Sequence, residues 1–262
     1  MKLLVITLLT FQVMIVSGQI QDELTNSHID RIMFGEELEE INRLDEFKSN
    51  DFSEIWTLTP NRNVLGIIGE KHKRLKIKLI SVSKTNEGQI YMVKGRSSVD
   101  GNIVDFDGSI TIREIGILKE LHFGVDNEYK DSGIKSQGLL IAEYQFSEKE
   151  DSAYSGIFKG QLYSKWYLNS QDETKYDDIQ SFADGYINNA FVGTWTSYKT
   201  KKSKICNWGD YRILGCNSDF DIGAGEFSPS KKYESQGWEN YQQAWLQNDK
   251  VAQEIELDEW WR

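Results

Sequence analysis

Tyr154-Ser-Gly-Ile-Phe-Lys-Gly-Gln-Leu-Tyr-Ser-Lys-Trp-Tyr-Leu168 is the stretch that decides the fold of this chain. Tyr154, Gly156, Phe158, Gly160, Leu162, Ser164, Trp166 and Leu168 fall on one face of an extended backbone, the period of two that marks a long strand. Leu75, Ile77 and Leu79 alternate in the same way with Lys76 and Lys78. Val104, Phe106, Gly108, Ile110 and Ile112 alternate with Asp105, Asp107, Ser109, Thr111 and Arg113. Strands with one apolar and one wet face favour an antiparallel sheet over a parallel one. The connections agree, because Asn86-Glu-Gly88, Val99-Asp-Gly-Asn102 and Asp131-Ser-Gly133 carry the residues of tight turns and short loops.

An internal echo adds curvature to this reading. Phe106/Gly108/Ile110, Phe158/Gly160/Leu162 and Phe191/Gly193/Trp195 repeat one pattern, with the glycine on the same face as two bulky residues. A glycine inside a strand weakens it unless the strand must bend or something approaches closely. Strands that coil around a barrel need such kinks. The echoes are unequally spaced, so they do not form a solenoid. The expectation is a mainly β protein, a single antiparallel curled sheet or barrel with a short N-terminal helical segment. Gly193-Thr-Trp195 resembles the Gly-x-Trp of the first lipocalin strand, and the arrangement resembles the calycin group in architecture. Here the motif falls late in the chain and the wider lipocalin pattern is missing, so the resemblance implies no function.

Outward from the sheet, the first eighteen residues read as a cleavable export signal: Lys2, the apolar run Leu3 to Val16, and Val16-Ser17-Gly18 as the processing site. The run is shorter than the roughly 20 apolar residues of a membrane span. The mature protein is expected to be secreted or periplasmic and not membrane-spanning, and no cysteine near the cleavage site offers a lipid anchor. Loss of Lys2 takes the formal charge from −11 to −12. Such a chain repels phosphate backbones, so nucleic acid is not an expected partner. Residues 19–50 are acidic, with Ile29, Ile32, Met33, Leu38, Ile41, Leu44 and Phe47 in an approximate helical stripe broken at Gly35. Residues 51–262 are expected to form the antiparallel β domain. Cys206 and Cys216 are the only two cysteines, and in an exported chain they predict one disulfide. Closing a loop of about ten residues would contribute roughly 2.7 kcal/mol.

Candidate chemistry concentrates between Phe191 and Tyr241. His28, His72 and His122 show no metal-ligand spacing. No Gly-x-Ser-x-Gly elbow supports a serine nucleophile, and the catalytic residues are unknown. Asn217, Asp219, Asp221 and Glu226 place oxygens at alternating positions suited to calcium, with Asp219, Asp221 and Glu226 as the candidate ligands and no other cofactor expected. The EF-hand pattern fails, since Ile222 and Ser228 stand where glycine and glutamate are required. Asp210, Asp221 and Glu226 are candidates for a hydrolytic carboxylate pair. Aromatics are the stronger signal. Trp166 and Trp195 lie on the buried parity of their strands. Trp208, Asp210, Tyr211 and Arg212 combine a rigid ring with polar groups suited to a glycan or a protein ligand. From Trp238 the chain is expected to begin a short helix carrying Tyr241 and Trp245. The leading expectation is an exported, non-enzymatic binding protein. The alternatives are an extracytoplasmic hydrolase using carboxylates of the 210–226 region and an interaction module without a pocket.

Overall fold

The structure, a computed structural model, describes residues 38–262. The export signal, most of the acidic segment and His28 lie outside the described residues. Where the helical stripe enters them, Ile41 lies in a bend and Leu44 and Phe47 in turns, not in a helix. Leu44 and Phe47 pack on the core, and the Phe47 ring meets Trp166 edge-on at 4.8 Å.

Ten strands make one antiparallel sheet: β1 (Val64–Ile68), β2 (Lys73–Arg74), β3 (Lys76–Lys84), β4 (Ile90–Val99), β5 (Asn102–Ile117), β6 (Ser136–Glu148), β7 (Gly156–Leu168), β8 (Thr174–Tyr176), β9 (Asn188–Ser197) and β10 (Ser203–Asp210). Their order is β2-β1-β10-β9-β7-β6-β5-β4-β3, with β8 on the side of β7. Both ends of that order belong to one stretch of chain, because only Leu75 separates β2 from β3. Arg74 and Lys73 pair with Ile67 and Ile68. The Leu75 amide then donates to the Gly66 carbonyl at 2.9 Å. From Lys76 onward the same stretch pairs with β4. The sheet therefore curls until its edges meet at one end. The turn chemistry does its part at Asp100 and Gly101, whose φ values of 51° and 78° suit the two-residue turn between β4 and β5.

The curl encloses rings. Phe106, Tyr144, Phe146, Phe158, Phe191 and Trp208 fill the middle of the interior. The echoed glycines explain how they fit. Tyr144, Gly160 and Gly193 are neighbours on one rung across β6, β7 and β9. A methyl group placed on Gly160 would fall 2.9 Å from the Tyr144 hydroxyl, and one on Gly193 2.7 Å from it. Tyr144 thus lies flat over two strands that carry no side chain beneath it, an arrangement in which an aromatic covers a glycine's gap.

The end of the barrel where β1 begins is closed by the residues that precede it. Trp56 reaches across the interior, its indole donating to Ser164 Oγ at 2.9 Å and its ring meeting Tyr91 edge-on at 5.0 Å. A second apolar cluster sits outside the sheet, where Leu65 and Ile67 of β1 meet Phe220, Phe227, Tyr233, Trp238 and Tyr241. Trp238 leads into a three-residue helix, α1 (Glu239–Tyr241), which runs into a π turn that contains Trp245. The last helix, α2 (Lys250–Leu257), buries Glu256 in a bidentate pair with Arg74.

The predicted disulfide is corrected by this wall. Cys206 and Cys216 are both free thiols. Cys206 faces the interior beside Trp208, whereas Cys216 packs on the outer cluster. Asn207 points outward between them in the alternation and donates to the Leu214 carbonyl at 3.0 Å, tying the following loop to the outside. The backbone of the sheet stands between the two sulfurs.

Two outcomes follow from this packing. The Tyr144 hydroxyl is buried without a hydrogen-bond partner among the described residues, so Tyr144→Phe is expected to leave stability unchanged or raise it by about 1 kcal/mol. Gly193→Ala, by contrast, is expected to cost about 1–3 kcal/mol through overpacking; urea unfolding of both variants checks the pair. Reductant is expected to leave the melting temperature unchanged, with the buried Cys206 thiol reacting only after denaturation. A loss near the roughly 2.7 kcal/mol of a closed loop would contradict the free thiols.

Candidate functional site

The end of the barrel opposite Trp56 is open. The ends of β1, β4, β6 and β9 and the starts of β5, β7 and β10 surround a cavity of about 950 Å³. This lies within the size range of small-ligand sites, roughly 300–1,000 Å³. Its floor is apolar, formed by Ile68, Val104, Phe158 and Trp195, and its rim carries Lys71, Asp100, Tyr154 and Lys204.

Glu148 is the one charged residue built deep into this mouth, only 5% exposed. It ends β6 on the inward parity of Tyr144 and Phe146, opposite Phe106. One carboxylate oxygen, Oε2, accepts from the Gly156 amide at 2.8 Å and the Trp195 indole N–H at 2.9 Å. The other accepts from the Ser97 hydroxyl. Burial pushes this carboxyl above the usual range, and the three donors pull the other way. Trp195 is thereby held by its edge, while the Lys204 ammonium lies 5.7 Å from its ring centre. At the lip, Lys73 pairs with Asp100 at 2.5 Å.

The residues singled out from sequence are distributed elsewhere. Trp208 is 2% exposed and stacks on Phe191 at 4.5 Å inside the barrel. Asp210, next but one along β10, ends the strand at the closed end, where Oδ2 accepts from Thr59 Oγ1 at 2.8 Å, Asn189 Nδ2 at 2.8 Å and Tyr176 OH at 3.0 Å. Burial pushes its pKa up to about 7. Tyr211 turns the chain and rests on Tyr186, ring centres 5.0 Å apart. Arg212 clamps the acidic loop, donating to Asp221 Oδ2 at 2.5 Å and to the Gly223 and Gly225 carbonyls at 3.0 and 2.7 Å. Asp221 also accepts from the Gly223 and Ser228 amides. Asp219 accepts from Tyr233 OH and pairs with Lys232, and Glu226 is exposed. Among the described residues no group of three His, Cys, Asp or Glu side chains is arranged to hold a metal ion. Asp210, Asp221 and Glu226 line no part of the open mouth.

Glu148 escaped the sequence reading although a signal was present. An acid on the apolar face of a strand, two residues after Phe146, breaks its alternation. Lys204 carries the same mark, since it pairs with Trp195 on the inward side of β10.

The chain matches no protein-family model, no curated protein and no solved structure. The site therefore rests on its own geometry. No described helix is long and apolar enough to cross a membrane.

The buried acid at the closed end sets a pH dependence. Asp210 titrates near 4 when unfolded and at about 7 when folded. Between those values the folded chain holds a proton that the unfolded chain has lost, so stability falls as pH rises through that window. A shift of this size corresponds to about 4 kcal/mol. Asp210→Asn is expected to flatten the fall between pH 4.5 and about 7.5 in urea unfolding; an unaltered slope would place the titration elsewhere.

Proposed function

We propose that this is an exported, non-enzymatic binding protein that takes its ligand, a glycan or a segment of another protein, in the open mouth of the curled sheet. The single observation that carries the reading is the asymmetry of the two ends. One is filled by Trp56 and a hydrogen-bonded knot around Asp210, and the other holds a cavity of about 950 Å³. Support also comes from the preorganisation of the mouth. Glu148 spends its hydrogen-bonding capacity on Ser97, Gly156 and Trp195, which fixes the walls and lowers the ordering cost of binding. A carboxylate so engaged suits positioning better than proton transfer. The hydrolase alternative requires a facing acid pair, and the acids of the 210–226 region point to Arg212, Lys232, Thr59 and solvent.

Ligand arrays of oligosaccharides and peptides, followed by calorimetry, test the reading. Val99 ends β4 and lines the cavity; Val99→Trp is expected to fill the mouth and weaken binding at least tenfold, with urea unfolding checking that the variant is folded. Trp208→Ala is expected to act differently, costing about 3–5 kcal/mol of stability through the cavity it leaves. A ligand indifferent to Val99→Trp would move the site away from the mouth.

A further inference from the structure

In a chain whose formal charge is −11 the mouth carries three lysines, Lys71, Lys73 and Lys204, against three acids, Glu70, Asp100 and Glu148. The β9–β10 turn carries Lys199, Lys201 and Lys202, and Lys204 follows, with no acid between Tyr198 and Ile205. Lys204 faces inward on the same side of β10 as Cys206 and lines the cavity. Lys71 lines it from the turn between β1 and β2. Neither ammonium has a carboxylate partner among the described residues. The acids of the lining are differently placed. Glu148 is occupied by three donors, Asp100 is paired with Lys73, and Glu70 alone is unengaged.

We propose that the mouth selects an acidic saccharide, its carboxylate or sulfate set against Lys71 and Lys204 and its ring faces against Ile68, Val104 and Phe158. This rests on the mouth being the binding site. The cations face a wall of low polarity, where a charge-assisted hydrogen bond is stronger than in water. The turn lysines add a local field that draws an anion toward an otherwise repelling molecule. A cationic ligand finds Glu70 alone unengaged, set against the two unpaired lysines, because Glu148 is held by its three donors and Asp100 by Lys73. An acyl chain finds no tunnel, because Phe106, Phe146 and Trp208 fill the barrel beyond Phe158. The mouth accepts rings at its open end instead.

Calorimetry at low and at physiological ionic strength, with the protein lacking its first eighteen residues, uses four probes: a galacturonate trisaccharide, a galactose trisaccharide, a glucosamine trisaccharide and octanoate. The galacturonate trimer is expected to bind at least tenfold tighter than the galactose trimer. Lys204→Gln and Lys71→Gln are each expected to weaken it about fivefold or more, and added salt to shrink the preference. Lys232→Gln, outside the mouth, serves as the folded control and is expected to change nothing. Binding of the galactose trimer that Val99→Trp blocks but Lys204→Gln ignores would overturn the anion assignment and leave the mouth reading intact. Preferential binding of octanoate or of the glucosamine trimer would overturn the ligand class. Silence of all four probes counts against both the acidic-saccharide assignment and the mouth itself.

Discussion

Tyr144 lying across Gly160 and Gly193 is the contact on which the rest of the architecture depends. A curled sheet has limited room inside, and six large rings share the middle of this one. They fit because a ring on β6 occupies the space that side chains on β7 and β9 would otherwise fill. The bare rung also permits the close strand approach and bend that a tight curl requires. With the interior filled at mid-height, nothing small can pass from one end to the other. The two ends are thus free to serve different purposes.

Those purposes are visible in how each end treats polar groups. At the closed end Asp210 is surrounded by neutral donors from three separate elements, and Asp177 and Lys165 are buried nearby. Burying such groups costs free energy even when they are hydrogen-bonded. Burial duly pushes the Asp177 carboxyl up and the Lys165 ammonium down to about 8. That knot ties β8, β9 and β10 to the segment before β1. At the open end a single acid, Glu148, performs the same tying between β4, β6, β7 and β9, and the space above it stays empty of side chains. The two ends thus differ in kind, one a packed polar frame and the other an accessible concavity.

Much of the fold was legible in local pattern. The alternation in β3, β5 and β7, the turn at Asp100-Gly101 and the echoed glycines each report a physical requirement that operates over a few residues. Trp166 and Trp195 could be placed on the buried side by parity alone. The candidate site was less legible. Trp208 stood out for its polar neighbours in sequence, yet in a strand those neighbours point to opposite sides, and Trp208 stacks inside on Phe191 while Arg212 clamps a loop outside. The disulfide expectation failed for the same reason. Ten residues of separation suggested closeness, while the wall of the sheet lies between Cys206 and Cys216.

Local pattern was enough for the period of the strands, their antiparallel pairing, the need for curvature and the sign of the molecule's charge, because each is set by local sterics, burial parity or simple summation. Which end of the curl stays open, which acid is desolvated there and which lysines face the cavity emerge only once the strands are packed. Those outcomes depend on Trp56 meeting Ser164 at one end and Glu148 meeting Ser97 and Trp195 at the other, across large separations in the chain, and strand register, not sequence distance, brings such residues together.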